Sequence, residues 1–388
     1  MSKPKVLHLI DSNGMYGAEN VVLTLLDNLR NSPYHCILGC IREAEDEYVE
    51  LGKRAEYKGI DVVYFTMRRG LNFSGIVKIY SFIKKNDIKI VHSHGYKTNI
   101  FLGLIRPFLP MVQVITTIHG WAKEFADRKL AVYEKTNCFF IRRFSRSVAV
   151  SKAVYNDMIK RQIPSNKIKI IYNGIDINNA QHIERDKSSL REFFDIPKDV
   201  LLIGTAGRFV KEKGMDVFIK GAGIFLQNYP NAFFLIAGDG PLLSQLRSLA
   251  SQLSIEHKIR FLGFVDKIYD FLYALDIFVL CSLTEGLPIV LLEALNAGCP
   301  TVCSCVGGIP EVIDNTEGLL IEPGIPNALS ERLLLLSEDV AFRNKIAFSG
   351  KSKVVETFSS EKMGCNYVNL YNKLMDQQCH NVNRGRLV

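Results

Sequence analysis

The chain contains no run of 18 apolar residues. Its longest candidate, Phe101 to Ile118, is interrupted by Arg106, Pro107, Pro110 and Gln113, which predicts no membrane-spanning helix. A signal peptide is not expected either, because after Lys3 and Lys5 the apolar stretch is only Val6 to Ile10, the length of a first strand. The expected location is therefore the cytoplasm. The nine cysteines form no Cys-x-x-Cys pair, and an odd number scattered through apolar runs reads as reduced thiols acting as small hydrophobes. Cys299, Cys303 and Cys305 lie close together, but they lack a nearby fourth ligand and follow a strand pattern, so no metal site is expected. No Asp-x-Asp triplet occurs, and no cofactor is expected. No complete Gly-x-Gly-x-x-Gly follows the first strand, which argues against a nicotinamide-binding fold.

What is present suits a soluble globular protein: 388 residues, 47% hydrophobic and 23% charged, too long for one typical domain. Strand-like runs recur at Lys5 to Ile10, Cys36 to Ile41, Val62 to Phe65, Ile88 to Val91, Val112 to Ile118 and Ser147 to Val150. The second half repeats the plan at Leu201 to Ala206, Phe233 to Ala237, Ile259 to Leu262, Ile277 to Leu280, Thr301 to Cys303 and Leu319 to Ile321. Helix-length stretches separate these runs, so two α/β domains with parallel sheets are predicted, facing each other across a cleft. The expected divisions are 1–176, 177–358 and a final stretch 359–388. In that last stretch, Met363, Tyr367, Leu370, Tyr371 and Leu374 follow a helical period, and residues from Asn381 onward are expected to fray.

The segment most informative about chemistry is Glu285-Gly286-Leu287-Pro288-Ile289-Val290-Leu291-Leu292-Glu293. Pro288 suits the first turn of a helix, and Gly286 lets the backbone approach a ligand. Glu285 then stands ahead of the helix and Glu293 inside it, about five residues or ~7.5 Å from Pro288. Carboxylates at that spacing can hold two sets of hydroxyls, while the unpaired amides of residues 287 to 290 favour a diphosphate between them. Two exposed glutamates on a solvated surface would give the same spacing. A second strand-to-helix passage, Gly207-Arg208-Phe209-Val210-Lys211-Glu212-Lys213-Gly214, carries three cations, of which Arg208 and Lys213 are the candidates for a diphosphate. A third, Gly238-Asp239-Gly240-Pro241, reads as a Gly-rich turn before a Pro-started helix.

Together with Glu293-Ala294, Gly298-Cys299-Pro300, Gly307-Gly308-Ile309-Pro310-Glu311, Gly17-Ala18-Glu19, His119-Gly120, Ala149-Val150-Ser151-Lys152 and Tyr172-Asn173-Gly174-Ile175-Asp176, these passages resemble the retaining GT-B glycosyltransferases of family 4. The resemblance spans nearly the whole chain and says little about substrate. It implies two Rossmann-like domains, the first holding the acceptor and the second a nucleoside-diphosphate sugar. It also implies retention of anomeric configuration, with the leaving phosphate taking the acceptor's proton, and metal-independent chemistry. Carried over by position, Gly17, Arg208, Lys213, Gly286, Leu287, Pro288 and Ile289 would bind the donor. Glu285 would hold the transferred sugar, Glu293 the ribose, and His119 the sugar near its reacting carbon. The family has a glycine pair where this chain has Tyr16-Gly17, so Gly17 alone is carried over. A buried structural histidine is the alternative for His119, and His94 is placed on the acceptor side.

Charge is uneven. Residues 1–180 carry a net +11 and residues 181–388 a net −3, an asymmetry that suits an anionic membrane surface or nucleic acid. A lipid-linked acceptor would make a peripheral membrane contact the natural partner, and without a nucleic-acid-binding motif no nucleic acid is expected. Arg142, Arg143 and Arg146 beside Phe139, Phe140 and Phe144, and Arg68-Arg69 beside Leu71 and Phe73, read either as interfacial patches or as basic helices packing aromatics inward. Two other readings stay open: transfer to a sugar phosphate or small metabolite on the same fold, and a catalytically silent GT-B protein that binds a partner.

Overall fold

The computed structural model describes residues 3–12, 14–44, 49–67, 72–121, 128–181, 187–197 and 199–385. Asn13, Arg68, Arg69 and Leu71 lie outside the described residues. The chain divides into two compact units, one of residues 1–174 with 360–388 and one of residues 175–359.

In the first unit, seven parallel strands form one sheet: β1 (Lys5–Asp11), β2 (His35–Arg42), β3 (Asp61–Thr66), β4 (Ile88–His94), β5 (Gln113–Ile118), β6 (Arg146–Ala149) and β7 (Ile168–Ile170). Their spatial order is β3-β2-β1-β4-β5-β6-β7. Apolar residues on both sides of a strand, as at Val6, Leu7 and Leu9 of β1, are what a sheet covered on both faces requires. Helix Gly17–Leu29 follows β1 and buries Val21, Val22, Leu25, Leu26 and Leu29, an i, i+4 stripe. The strand β7 has no counterpart among the predicted runs. It is three residues at the sheet edge and shows no buried side chain, so its sequence carries little periodicity.

The second unit builds a six-stranded parallel sheet from β8 (Leu201–Ala206), β9 (Ala232–Ala237), β10 (Ile259–Gly263), β11 (Ile277–Leu280), β12 (Thr301–Ser304) and β13 (Leu319–Ile321), in the order β10-β9-β8-β11-β12-β13. β8, β9, β11 and β12 are buried at every residue. Each sheet reverses its direction of growth once, at β1/β4 and at β8/β11. The crevice beyond the carboxyl ends of the strands at such a reversal is where open α/β sheets bind ligands.

Three boundaries differ from expectation. Pro288 is the residue before the helix Ile289–Asn296 rather than its first residue, with an extended backbone. Pro241 sits in a turn, and the helix begins two residues later at Leu243, because Leu242 donates to the Phe209 carbonyl and ties the turn to the neighbouring loop. The C-terminal helix runs from Ser360 to Gly385, through the residues expected to fray. Its inward face, Met363, Tyr367, Leu370, Tyr371 and Leu374, is buried within the first unit.

Candidate functional site

In the second unit the loops after β8 and β11 lie side by side because their strands pair, with Ile203 opposite Ile277. The Leu283 amide donates to the Glu212 carbonyl at 2.8 Å, joining the loops through their backbones. Gly214 sits between them with φ +59°, and a Cβ there would stand 2.1 Å from the Cys281 carbonyl oxygen. Only glycine supplies both the left-handed backbone and the missing atom. This closeness brings the predicted cation and carboxylate together: Lys213 Nζ lies 2.6 Å from Glu285 Oε1, and Ser282 Oγ donates to the same oxygen at 2.7 Å. Both contacts use Oε1, which leaves Oε2 as the carboxylate's second acceptor. An ammonium has three hydrogens, so Lys213 keeps two for a phosphate while holding Glu285. Arg208 is exposed on the same loop.

Leu287 and Ile289 turn their side chains into the core, so that stretch faces a ligand only with backbone, at the start of helix Ile289–Asn296. Gly286 is held from behind, its carbonyl accepting from the Gly308 amide at 2.8 Å. Glu293 is packed closely enough that burial pushes its carboxyl up to about 7. The Tyr269 phenol beside it, which accepts from Asn296 Nδ2 at 3.2 Å, is raised by burial first and by the Glu293 charge second. Cys299 and Cys303 are buried and Cys305 is exposed, with burial pushing the Cys299 thiol up to about 12. The two buried thiols are inert packing groups.

In the first unit, Gly17 opens the helix after β1, and a Cβ there would meet nothing within 4 Å. Packing gives no reason for a glycine at that position. Glu19 closes back on the loop, accepting from the Tyr16 amide at 3.2 Å. His119 follows β5, half-buried, and its Nδ1 is a covered atom with no hydrogen-bond partner. The acceptor-side placing of His94 is corrected. That side chain is 3% exposed, and both its nitrogens are taken, Nδ1 by His119 Nε2 at 3.3 Å and Nε2 by His8 Nδ1 at 3.2 Å. His94 serves His119 and presents nothing to an acceptor. Sequence reasoning missed His8, Tyr371 and Tyr367, which complete this cluster. Only the alternation that puts His92 and His94 on one face of β4 hinted at it.

The basic aromatic cluster at 139–146 divides. Phe144 is buried and Arg142 donates to the Arg161 carbonyl, whereas Phe139 is exposed with the Arg143 guanidinium 3.7 Å above its ring. Among the described residues no helix is long and apolar enough to cross a membrane.

Two family models match. That of the glycosyl transferases group 1 covers residues 186–353, and that of Glycosyltransferase Family 4 covers residues 15–179. The chain is 28% identical to the Escherichia coli UDP-Gal:alpha-D-GlcNAc-diphosphoundecaprenol alpha-1,3-galactosyltransferase over 93% of this chain and 95% of that one. It is 27% identical to the Bacillus anthracis N-acetyl-alpha-D-glucosaminyl L-malate synthase over 76% of this chain and 77% of that one. Among solved structures, Anabaena HepE in complex with UDP-glucose superposes with a TM-score of 0.85 at 20% identity, covering 95% of this chain and 99% of that one.

Proposed function

Since the chain belongs to the GT-B glycosyltransferases of the group 1/family 4 type, we propose that it moves a sugar from UDP to a lipid-linked glycan, with retention, in surface polysaccharide or glycolipid assembly. One observation carries the donor half of this reading: Lys213 and Glu285, 72 residues apart, meet at 2.6 Å where the second sheet reverses. A cation and a carboxylate sharing one contact can each turn a remaining group to the same ligand, Lys213 to phosphate and Glu285 Oε2 to a sugar hydroxyl. Glu293, four residues after Ile289 on the following helix, takes the ribose in this reading. The uridine base is favoured by relatives named for UDP-Gal and held with UDP-glucose.

Breaking the glycosyl phosphate bond builds negative charge on the diphosphate and positive charge on the anomeric carbon. Arg208, Lys213 and the amides at the start of helix Ile289–Asn296 stabilise the first. Glu285 is occupied by Lys213 and Ser282, so it is poorly placed to act as a base. A departing phosphate oxygen on the face the acceptor enters takes the acceptor's proton, which is what retention needs. The lipid-linked acceptor is supported by the relative that acts on a diphosphoundecaprenol substrate and by the net +11 of residues 1–180. Transfer to a small soluble acceptor is the second reading, favoured by similarity to the malate synthase.

The test is a melting-temperature panel with UDP, GDP, ADP and their sugars, followed by product anomer assignment by NMR. UDP should stabilise the protein most and an α-linked donor should give an α-linked product. No stabilisation by any nucleotide, or an inverted product, would overturn the reading.

A further inference from the structure

At the amino end of the first sheet, three chain segments hold cations and no carboxylate. Residues 104–112 lead into β5, residues 139–146 into β6 and residues 160–169 into β7, and together they carry eight Lys and Arg but no Asp or Glu. The strands are neighbours, with Ile115 opposite Arg146 and Ser147 opposite Ile168, so their starts stand about 5 Å apart. Hydrogen bonds tie the segments together. The Ser145 amide donates to the Val114 carbonyl at 2.8 Å, Lys167 Nζ to the Arg142 carbonyl at 2.9 Å, and Arg142 Nη2 to the Arg161 carbonyl at 2.7 Å. This end of the sheet is opposite the carboxyl ends of its strands, where open α/β sheets bind their ligands.

Among the described residues, Arg106, Arg142, Arg143, Arg146 and Lys167 form no ion pair. Each donates to a backbone carbonyl instead, Arg106 Nη1 to Leu109 at 2.8 Å, Arg143 Nη1 to Phe139 at 2.6 Å and Arg146 Nη1 to Ser145 at 2.8 Å. A carbonyl satisfies a donor without cancelling its charge, so the cations act on one another. Lys167 is held below its ordinary value by burial first, then by Arg146 and Arg106. Large apolar side chains stand exposed beside them: Phe108 at 66%, Met111 at 52% and Phe139 at 49%. The helices Tyr96–Ile105 and Arg128–Ile141 that lead to these residues abut, since a Cβ on Gly103 would stand 2.2 Å from the Phe140 ring.

We infer that this end of the first unit is a docking surface for an anionic lipid bilayer, its cations meeting the headgroups while Phe108, Met111 and Phe139 enter the interface. Uncompensated cations interleaved with exposed apolar side chains are what such an interface selects. A single phosphate would need donors converging on one point, whereas these are strung along the starts of three strands. Single-stranded nucleic acid would need open aromatic faces for stacking, and one face of Phe139 is taken by the Arg143 guanidinium at 3.7 Å. The surface stands on its own charges and exposures, independently of the transferase reading above.

The experiment is co-sedimentation of the full-length protein with vesicles of phosphatidylcholine, alone or with about a third phosphatidylglycerol. Binding should require the anionic lipid and weaken as salt is raised. Arg143→Gln combined with Arg146→Gln should lower the vesicle partition about twentyfold, at about fivefold per cation near the surface. Phe108→Ser should lower it about tenfold. All three side chains lie at the surface, so both variants should melt with the parent protein. Lys53→Gln combined with Lys220→Gln is the control. It removes the same charge from cations that already have acidic partners, Glu56 and Asp216, and should change the partition by less than about twofold. Equal binding to both vesicle types, binding to neither, an unchanged partition in either patch variant, or an equal loss in the control would overturn the proposal. An oligonucleotide that displaces the vesicles and binds Phe108→Ser as well as the parent would assign the cations to nucleic acid and also overturn it. Vesicle binding without turnover of any sugar nucleotide would leave this surface standing and refute the transferase reading, and turnover without vesicle binding would do the reverse.

Discussion

At the scale of single residues, two carboxylates with similar sequence surroundings stand in different electrostatic conditions. Glu285 has a cation at 2.6 Å, whereas Glu293 has burial pushing it up to about 7. A carboxyl raised in the folded state favours folding most below its unfolded value near 4.5, and that contribution is lost as pH climbs through about 7. Glu293→Gln keeps the shape and removes the charge. It should raise the melting temperature by a few degrees at pH 8 and leave it nearly unchanged at pH 5, and it should weaken UDP binding if both carboxylate oxygens accept from the proposed ribose, since an amide keeps only one acceptor. Calorimetry at the two pH values checks this, and equal shifts at both would refute it.

At the scale of elements, glycines separate loops built for their own packing from loops kept open. Gly307 has φ +55°, and a Cβ there would stand 1.9 Å from the Glu285 carbonyl oxygen. Gly307→Ala should displace the Glu285 loop, lower stability by about 1–3 kcal/mol and abolish nucleotide binding. Gly17→Ala meets open space, so it should melt with the parent protein yet turn over the donor more slowly, if the loop after β1 contacts it. Thermal melts paired with initial rates decide between the two behaviours. The strand-loop-helix passages that carry these glycines were readable in the sequence, because an apolar run ending in Gly and a charged residue has few other uses. The short edge strand β7 was not, since three residues with no buried side chain leave no pattern to detect.

At the scale of the whole molecule, the two units should respond differently to acid. The first buries His8, His92, His94 and His119 neutral, each with its pKa lowered by burial. Unfolding lets each take a proton at its ordinary value near 6.5, so this stability is intact above that pH. It is lost as pH falls from about 6.5 toward 4, at about 1.4 kcal/mol per pH unit for each histidine. One of two calorimetric transitions should therefore drop steeply between pH 6.5 and 5. His8→Asn should make that drop shallower, and a flat profile would contradict the buried cluster.

By itself the amino-acid sequence determined the class of both sheets, the turn chemistry at the strand ends and the order of motifs that marks a sugar-nucleotide transferase. The sheets and turns follow from local rules, namely apolar runs of strand length, helical periods and glycines where backbones must turn, whereas the motif order speaks only through its resemblance to a known family. Only the tertiary structure decided which side chains meet. Lys213 reaches Glu285 because β8 and β11 are neighbours, and Tyr371 reaches His92 across 279 positions because the last helix docks on the first sheet. Strand order and helix docking are long-range choices that hydrophobic periodicity does not encode, so the hydrogen-bond partners they create had no signature in the sequence.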